Sequence, residues 1–136
     1  MTSNSLSTTS VSRTLSILSI LRIFTGLALL QHGTGKILGF PAVPNFANVQ
    51  LGSLAGAAGL IELIGGILFM IGLFTRPVAF LLSGFTAAAY FIAHAGKGFY
   101  PILNGGELAA LYCFVFLYFA FAGAGPWSAD ALVGRK

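Results

Sequence analysis

The sequence predicts an all-α integral membrane protein, a bundle of four antiparallel helices that run up-down-up-down through the bilayer. Three observations predict this fold. The 136 residues are 57% hydrophobic and only 7% charged, whereas a soluble domain carries roughly a quarter charged residues. The apolar residues fall into four stretches, each close to the roughly 20 residues that cross a bilayer as a helix. Polar or glycine-containing segments separate these stretches.

The four predicted spans form one transmembrane domain over residues 15–125. Residues 1–14 are rich in Ser and Thr and have no apolar period, so they are predicted as a disordered tail. Residues 126–136 are predicted as a polar tail with Trp127 anchored at the interface. The spans themselves cover residues 15–36, 53–74, 77–96 and 104–123.

The basic residues predict the orientation of the chain. They lie singly rather than in clusters, which excludes nucleic acid as the expected partner. An even number of spans places both termini on one side of the membrane. Because basic residues favour the cytoplasmic side, both termini are expected in the cytoplasm of a bacterial inner-membrane protein. That side collects Arg13, Arg76, Arg135 and Lys136, against Lys36 and Lys97 on the other.

Two similar segments indicate an internal repeat. Residues 32–41 and 94–101 each combine a histidine, glycines, a lysine and a proline, and each follows an outward-going span. Each is followed by a span with one acid, Glu62 or Glu107. The pattern indicates two helical hairpins related by a pseudo-twofold axis. Glycine-rich helix ends also recur by chance, and both interpretations stay open.

One of these acids lies in the middle of an apolar span. An ionised carboxylate in hydrocarbon costs several kcal/mol unless a partner neutralises it. Counting about 1.5 Å of rise per residue from the span boundaries places Arg22 and Glu62 at nearly the same depth. A guanidinium can hold a carboxylate through two hydrogen bonds. The sequence therefore predicts a buried Arg22–Glu62 ion pair, which either locks two helices together or serves function. Small residues predict close packing of the same two helices, at Gly52, Gly56, Gly59 and Gly66.

A second group of polar residues gathers at the predicted outer ends of the helices. Their shared depth predicts a pocket for a small ligand, because ionisable residues within a membrane mark functional sites. Glu62 and His94 are the candidate catalytic residues. The candidate ligand-binding residues are His32, Lys36, Glu62, His94, Asn104 and Glu107.

Each member of this group also has a structural interpretation. Asn104 followed by Glu107 is typical of a capping box. The two lysines can extend outward to water, and the two histidines can bond to neighbouring backbone. No metal site is predicted. The single cysteine, Cys113, excludes an intrachain disulfide and a CxxC redox pair.

In combination these motifs resemble the DoxX family of small four-helix bacterial membrane proteins, over about residues 15–123. The resemblance implies a cytoplasmic-membrane protein linked to redox metabolism, associated with thiosulfate:quinone oxidoreductase subunits or with complexes that handle thiol and oxidant stress. The matching pieces are Arg22-x-x-x-Gly26, His32-Gly33-x-Gly35-Lys36, Gly59-x-x-Glu62-x-x-Gly65-Gly66, Gly72-Leu73-x-Thr75-Arg76, His94 and Asn104-Gly105-Gly106-Glu107.

Three functions follow as hypotheses. The first is a small redox-associated subunit, at most a component of a membrane oxidoreductase, whose outer pocket contacts a quinone-like ligand. The second is a non-catalytic scaffold subunit whose aromatic fourth span docks other membrane subunits or a second copy of the chain. The third is a haem protein in which His32 and His94 ligate the iron.

Overall fold

The computed structural model describes residues 2–135, with side chains from Ser7 onward. All regular structure in this range is helical, as predicted. Three helices, α1 to α3, are long and apolar enough to cross a membrane, and α5 is apolar but has 16 residues. The antiparallel four-helix bundle and the internal repeat stay predictions. The helices are α1 Thr2–Ile37, α2 Leu54–Ile71, α3 Thr75–Ala93, α4 Pro101–Asn104, α5 Glu107–Ala122 and α6 Ala129–Leu132, with 3-10 turns at Pro44–Phe46 and Ala95–Lys97.

The chain divides into two compact units. The first comprises the residues up to Leu73 together with those from Ala124 onward, and in it α1 packs along α2. The second, Phe74–Gly123, is built on the packing of α3 against α5. The helices α2, α3 and α5 begin and end within three residues of the predicted spans.

Glycines set the register between α1 and α2. A Cβ atom built at Gly26 would lie 2.7 Å from the Cα atom of Met70, and one at Gly66 would lie 3.0 Å from that of Leu30. Only glycine allows such a close approach of two backbones. The two helices are antiparallel, with the start of α2 beside the end of α1, because a Cβ at Gly59 would contact Lys36.

The α1 helix is longer than the predicted span. It begins at Thr2, so the prediction of a disordered tail over residues 1–14 is corrected from Thr2 onward, and Met1 lies outside the described residues. The polar side chains of this segment bond within the helix. Thr14 donates to the carbonyl of Ser10 at 3.0 Å, one turn earlier in the chain. This back-bonding is how hydroxyl side chains are accommodated in a helix.

The segment that follows α5 packs on the first unit and does not extend away from it as a free tail. The backbone N–H of Trp127 donates to Ser19 Oγ at 3.1 Å, and that of Asp130 donates to the carbonyl of Gly72 at 2.9 Å. Ser128 caps α6 by accepting from Ala131 N at 3.1 Å. The segment predicted as a polar tail over residues 126–136 therefore packs on the first unit in its described part, where Ser128 and Asp130 are buried.

In the second unit, α3 and α5 are antiparallel and joined by polar contacts. Ser83 Oγ on α3 donates to the carbonyl of Cys113 on α5 at 2.8 Å. At the start of α3, Arg76 donates to the carbonyls of Ala120 and Phe121 in the last turn of α5. A cation at this position complements the negative end of the helix dipole.

Candidate functional site

The buried acid of α2 is paired with a lysine. Nζ of Lys36 lies 2.8 Å from both carboxylate oxygens of Glu62. The side chains are 13% and 8% exposed respectively. Lys36 stands in the last turn of α1, and the α1–α2 register brings that turn beside the first half of α2. The charge of Glu62 is therefore neutralised locally, by a partner on the neighbouring helix.

The predicted Arg22–Glu62 ion pair is wrong. Glu62 lies beside Gly33, since a Cβ built at Gly33 would be 2.8 Å from the carbonyl carbon of Glu62. Gly33 is eleven residues along α1 from Arg22, which corresponds to about 16 Å of helix. The depth estimate failed because it placed residue 15, the start of the predicted first span, at the membrane boundary, whereas α1 extends well beyond the end of α2.

Arg22 instead bonds to backbone carbonyls at the other end of the α1–α2 pair. The residue is 1% exposed. Its guanidinium donates to the carbonyls of Ala124 and of Trp127, the latter at 2.6 Å, and reaches that of Met70 at 3.4 Å. Asp130 adds a favourable electrostatic interaction. Arg22 thus joins the end of α2 to the docked C-terminal segment, and its role is structural.

An aromatic ring covers the lysine. The Phe46 ring centroid lies 5.2 Å from Nζ of Lys36 and 6.2 Å from the ring centroid of His32. Phe46 belongs to the 3-10 turn in the loop between α1 and α2. We call His32, Lys36, Phe46 and Glu62 the Lys36 cluster. It combines an ammonium donor, a carboxylate, an imidazole and an aromatic face within one compact unit.

The hydrogen bonding of Lys36 is incomplete. An ammonium group has three N–H donors, and two of them serve Glu62. The third has no hydrogen-bond acceptor among the described residues. It is available to a carbonyl or carboxylate oxygen of a ligand. The Lys36 cluster can therefore bind and orient an oxygen atom beside two groups that exchange protons.

In the second unit, Asn104 organises the turn between α3 and α5. Its side-chain amide donates to Tyr90 Oη at 3.1 Å and to the carbonyl of Gly98 at 2.9 Å. Its Oδ1 accepts from the N–H of Gly106 at 2.8 Å. The N-cap position of α5 is Gly106, without a side-chain cap. Asn104 therefore closes a local turn, and the expected capping box with Glu107 does not form.

His94 and Glu107 also belong to the second unit. Nδ1 of His94 lies 3.2 Å from the carbonyl of Asn104, and the His94 ring stacks on Tyr90 with a centroid distance of 6.5 Å. Glu107 is exposed in the first turn of α5, where an acid complements the helix dipole. The backbone contact holds the His94 ring in one orientation.

The structure thus brings the predicted site residues together in two sets. His32, Lys36 and Glu62 meet in the first unit, and His94 meets Asn104 in the second. One pocket containing all of them stays a prediction. Sequence reasoning missed Tyr90 and Phe46. Tyr90 stands four residues before His94, on the same face of α3, and this spacing could have indicated it. The loop residue Phe46 carries no comparable signal.

The described part of the chain contains no group of three or more His, Cys, Asp or Glu residues that could hold a metal ion. Cys113 is half-buried on α5, and its sulfur lies 3.6 Å from Ser83 Oγ. This contact belongs to the packing of α3 on α5.

Comparison with known proteins places the chain in a family. The family model described as DoxX matches residues 17–95. An uncharacterized protein of Haemophilus influenzae is 50% identical over 88% of this chain and 92% of its own length. "Putative oxidoreductase CatD" of Bacillus subtilis is 31% identical over 86% of this chain and 88% of its own. "Inner membrane protein YqjF" of Escherichia coli is 26% identical over 86% and 92%. No solved structure matches.

The matched region contains the whole Lys36 cluster and Arg22. It spans more than half of the chain, and the similarity to the Haemophilus influenzae and Bacillus subtilis proteins extends over most of both chains. Together with the long apolar helices, these matches identify a multi-pass membrane protein. The chain belongs to the DoxX family.

Proposed function

We propose that this protein is a small redox-associated subunit of the bacterial inner membrane and a component of a membrane oxidoreductase. In this proposal the Lys36 cluster contacts the ring of a quinone-like ligand. The names of two relatives support it, since one is named "Putative oxidoreductase CatD" and another "Inner membrane protein YqjF". Both termini are cytoplasmic in the predicted topology, so the cluster lies towards the outer leaflet.

The observation that carries the proposal is the buried Lys36–Glu62 pair beside His32. The free N–H of Lys36 can donate to a quinone carbonyl oxygen. A quinone takes up protons when it is reduced. A protonated His32 can deliver a proton, and the Glu62 carboxylate can accept one from outside and pass it on. The electrons come from a redox-active partner subunit. His94, oriented by its contact with Asn104, is a second candidate for proton exchange.

The proposal is tested by the quinone content of protein purified in mild detergent. We expect Lys36→Met, Glu62→Gln and His32→Ala each to lower the co-purified quinone per protein molecule, with Lys36→Met lowest. Lys97→Met is the matched control, because Lys97 is exposed on the same predicted side of the membrane. Unchanged content in the Lys36, Glu62 and His32 variants would remove the quinone site.

A scaffold role is the second candidate, and the surface of α5 favours it. Phe114, Tyr118 and Phe121 are 68%, 57% and 76% exposed. They follow the i, i+4, i+7 spacing of one helix face. In this alternative the aromatic face binds another membrane subunit or a second copy of the chain. Phe114→Ala with Phe121→Ala would then separate the assembly in native mass spectrometry without changing the quinone content.

The haem hypothesis is checked on the same purified material. Bis-histidine ligation by His32 and His94 would give an intense Soret absorption. The absence of that band from freshly purified protein, together with retained quinone, would reject haem and leave the quinone proposal in place.

A further inference from the structure

Three parts of α1 converge on one residue of the loop above it. The Phe46 ring lies near the Lys36 ammonium and the His32 ring at the distances given above. The third contact is with Gly35, where a built Cβ would lie 3.1 Å from Cδ2 of Phe46. That distance is shorter than ordinary van der Waals contact. Because Gly35 has no side chain, the Phe46 ring can occupy the space above it. The ring therefore has a specific place on the helix.

Electrostatics favour this place. The face of an aromatic ring attracts an ammonium ion. Glu62 neutralises Lys36 from α2, and the Phe46 ring shields the ammonium from water. Two side chains of different chemistry thus enclose one cation, and either of them can move without unfolding a helix.

The backbone that carries Phe46 is attached to the helices only weakly. The N–H groups of Phe46, Ala47 and Val49 donate to the carbonyls of Val43, Pro44 and Phe46. These bonds are all internal to the loop. The neighbours Pro44 and Asn45 are exposed, whereas Phe46 is half-buried. The turn can therefore lift off α1 as a unit, at the loss of the contacts of the Phe46 side chain.

We propose that Phe46 is the gate of the Lys36 cluster, and that the Pro44–Phe46 turn moves away from α1 to admit a ligand to Nζ of Lys36. The identity of that ligand rests on the proposed function, but the gate itself does not. A ligand that displaces Phe46 must shield the ammonium in its place and supply an oxygen for the free N–H. A flat ring that carries a carbonyl oxygen meets both requirements.

The gate is tested by the reactivity of Lys36 towards a water-soluble amine-acylating reagent. Full-length protein in detergent is labelled briefly, and the modified lysines are quantified by mass spectrometry. The exposed Lys97 is an internal reference in the same chain. We expect Phe46→Ala to raise the ratio of Lys36 to Lys97 labelling about fivefold, the factor that corresponds to a cation–π contact. Phe46→Tyr keeps the ring and should leave the ratio unchanged.

A second variant displaces the ring from the other side of the contact. Gly35→Leu places a side chain in the space that the Phe46 ring occupies and leaves Phe46 itself unchanged. It should therefore raise the same labelling ratio. An unchanged ratio in both Phe46→Ala and Gly35→Leu would overturn the gate. A thermal unfolding temperature close to that of the wild type shows that each variant is folded as the wild type is.

A final experiment distinguishes the gate proposal from the proposed quinone function. A short-chain benzoquinone is added to Phe46→Ala before labelling. If it binds at the cluster, the Lys36 ratio should fall back towards the wild-type value. A raised ratio that the quinone does not lower would support the gate and contradict the quinone site.

Discussion

Arg22 and Lys36 are two cations of the same helix, the first buried and the second half-buried, and they are held by opposite kinds of partner. Arg22 donates to backbone carbonyls of Ala124, Trp127 and Met70. Lys36 is held by one carboxylate, from Glu62, and one aromatic ring. Backbone carbonyls cannot be exchanged without moving the backbone itself, whereas a side-chain partner can turn away. The comparison teaches that burial of a charge does not by itself identify a functional site.

The two ends of the α1–α2 pair should therefore respond differently to substitution. Loss of Arg22 removes a connection between α2 and the C-terminal segment, and the main effect should be on stability. Replacement of both Lys36 and Glu62 should lower ligand binding more than it lowers the free energy of unfolding, because a buried ion pair contributes little net free energy.

The largest expected effect is that of Arg22→Met. It leaves the carbonyls of Ala124 and Trp127 without their donor, and each buried unsatisfied group costs about 1–3 kcal/mol. We expect the free energy of unfolding in detergent to fall by at least about 3 kcal/mol. Arg22→Lys should recover only part of this loss, since an ammonium cannot span the same carbonyls.

The control for Arg22 is Arg13→Met, an exposed arginine on the same helix. It should change the free energy of unfolding by no more than about 0.5 kcal/mol. Equal losses in Arg22→Met and Arg13→Met would show that the carbonyl contacts of Arg22 do not stabilise the fold.

The next effect is that of breaking the Lys36–Glu62 pair from one side. Glu62→Gln leaves a buried ammonium without a counter-charge, and we expect a loss of about 2 kcal/mol in the free energy of unfolding, less than for a fully buried pair. The double variant Lys36→Met with Glu62→Leu should recover most of it. The double variant should still lack quinone, and full quinone retention would contradict the assigned site.

The smallest effect concerns the glycines that set the register. Gly26→Ala would force apart the backbones at Met70 and should cost about 1 kcal/mol, the low end for one added methyl group. It lies towards the Arg22 end, so quinone content should persist. Gly59→Ala presses on Lys36 and should lower quinone content as well. Gly84→Ala is the matched control, because a Cβ there meets no atom within 4 Å, and thermal unfolding of the three variants measures the difference.

Much of the helical structure was predictable because long apolar stretches are a strong signal. The bounds of α2, α3 and α5 follow from hydropathy and from glycine and proline at their ends. The extension of α1 to Thr2 and the docking of the segment around Ser128 were not predictable in this way. Both depend on hydrogen bonds of polar side chains, and a polar composition on its own predicts a tail.

The site was predictable in its members but not in its pairing. His32, Lys36 and Glu62 were all predicted, while Glu62 was assigned to Arg22. A depth that is counted from the predicted span boundaries carries an error of several residues. That error is enough to assign Glu62 to Arg22 instead of Lys36. The seven-residue spacing of Gly26 and Gly33 on α1 matches that of Gly59 and Gly66 on α2. In the observed register Gly26 faces Met70 and Gly33 faces Leu63, so each glycine lies about one turn away from a glycine of the other helix. Alignment of glycine with glycine would therefore have missed the register by about one turn.

The pairing of Glu62 is tested most directly by short-range chemical cross-linking between introduced cysteines. In a Cys113→Ser background, one variant carries Lys36→Cys with Glu62→Cys, and the other carries Arg22→Cys with Glu62→Cys. A short thiol-specific cross-linker should join positions 36 and 62 efficiently and positions 22 and 62 hardly at all. Efficient cross-linking of 22 to 62, with none between 36 and 62, would contradict the register and the Lys36 cluster built on it.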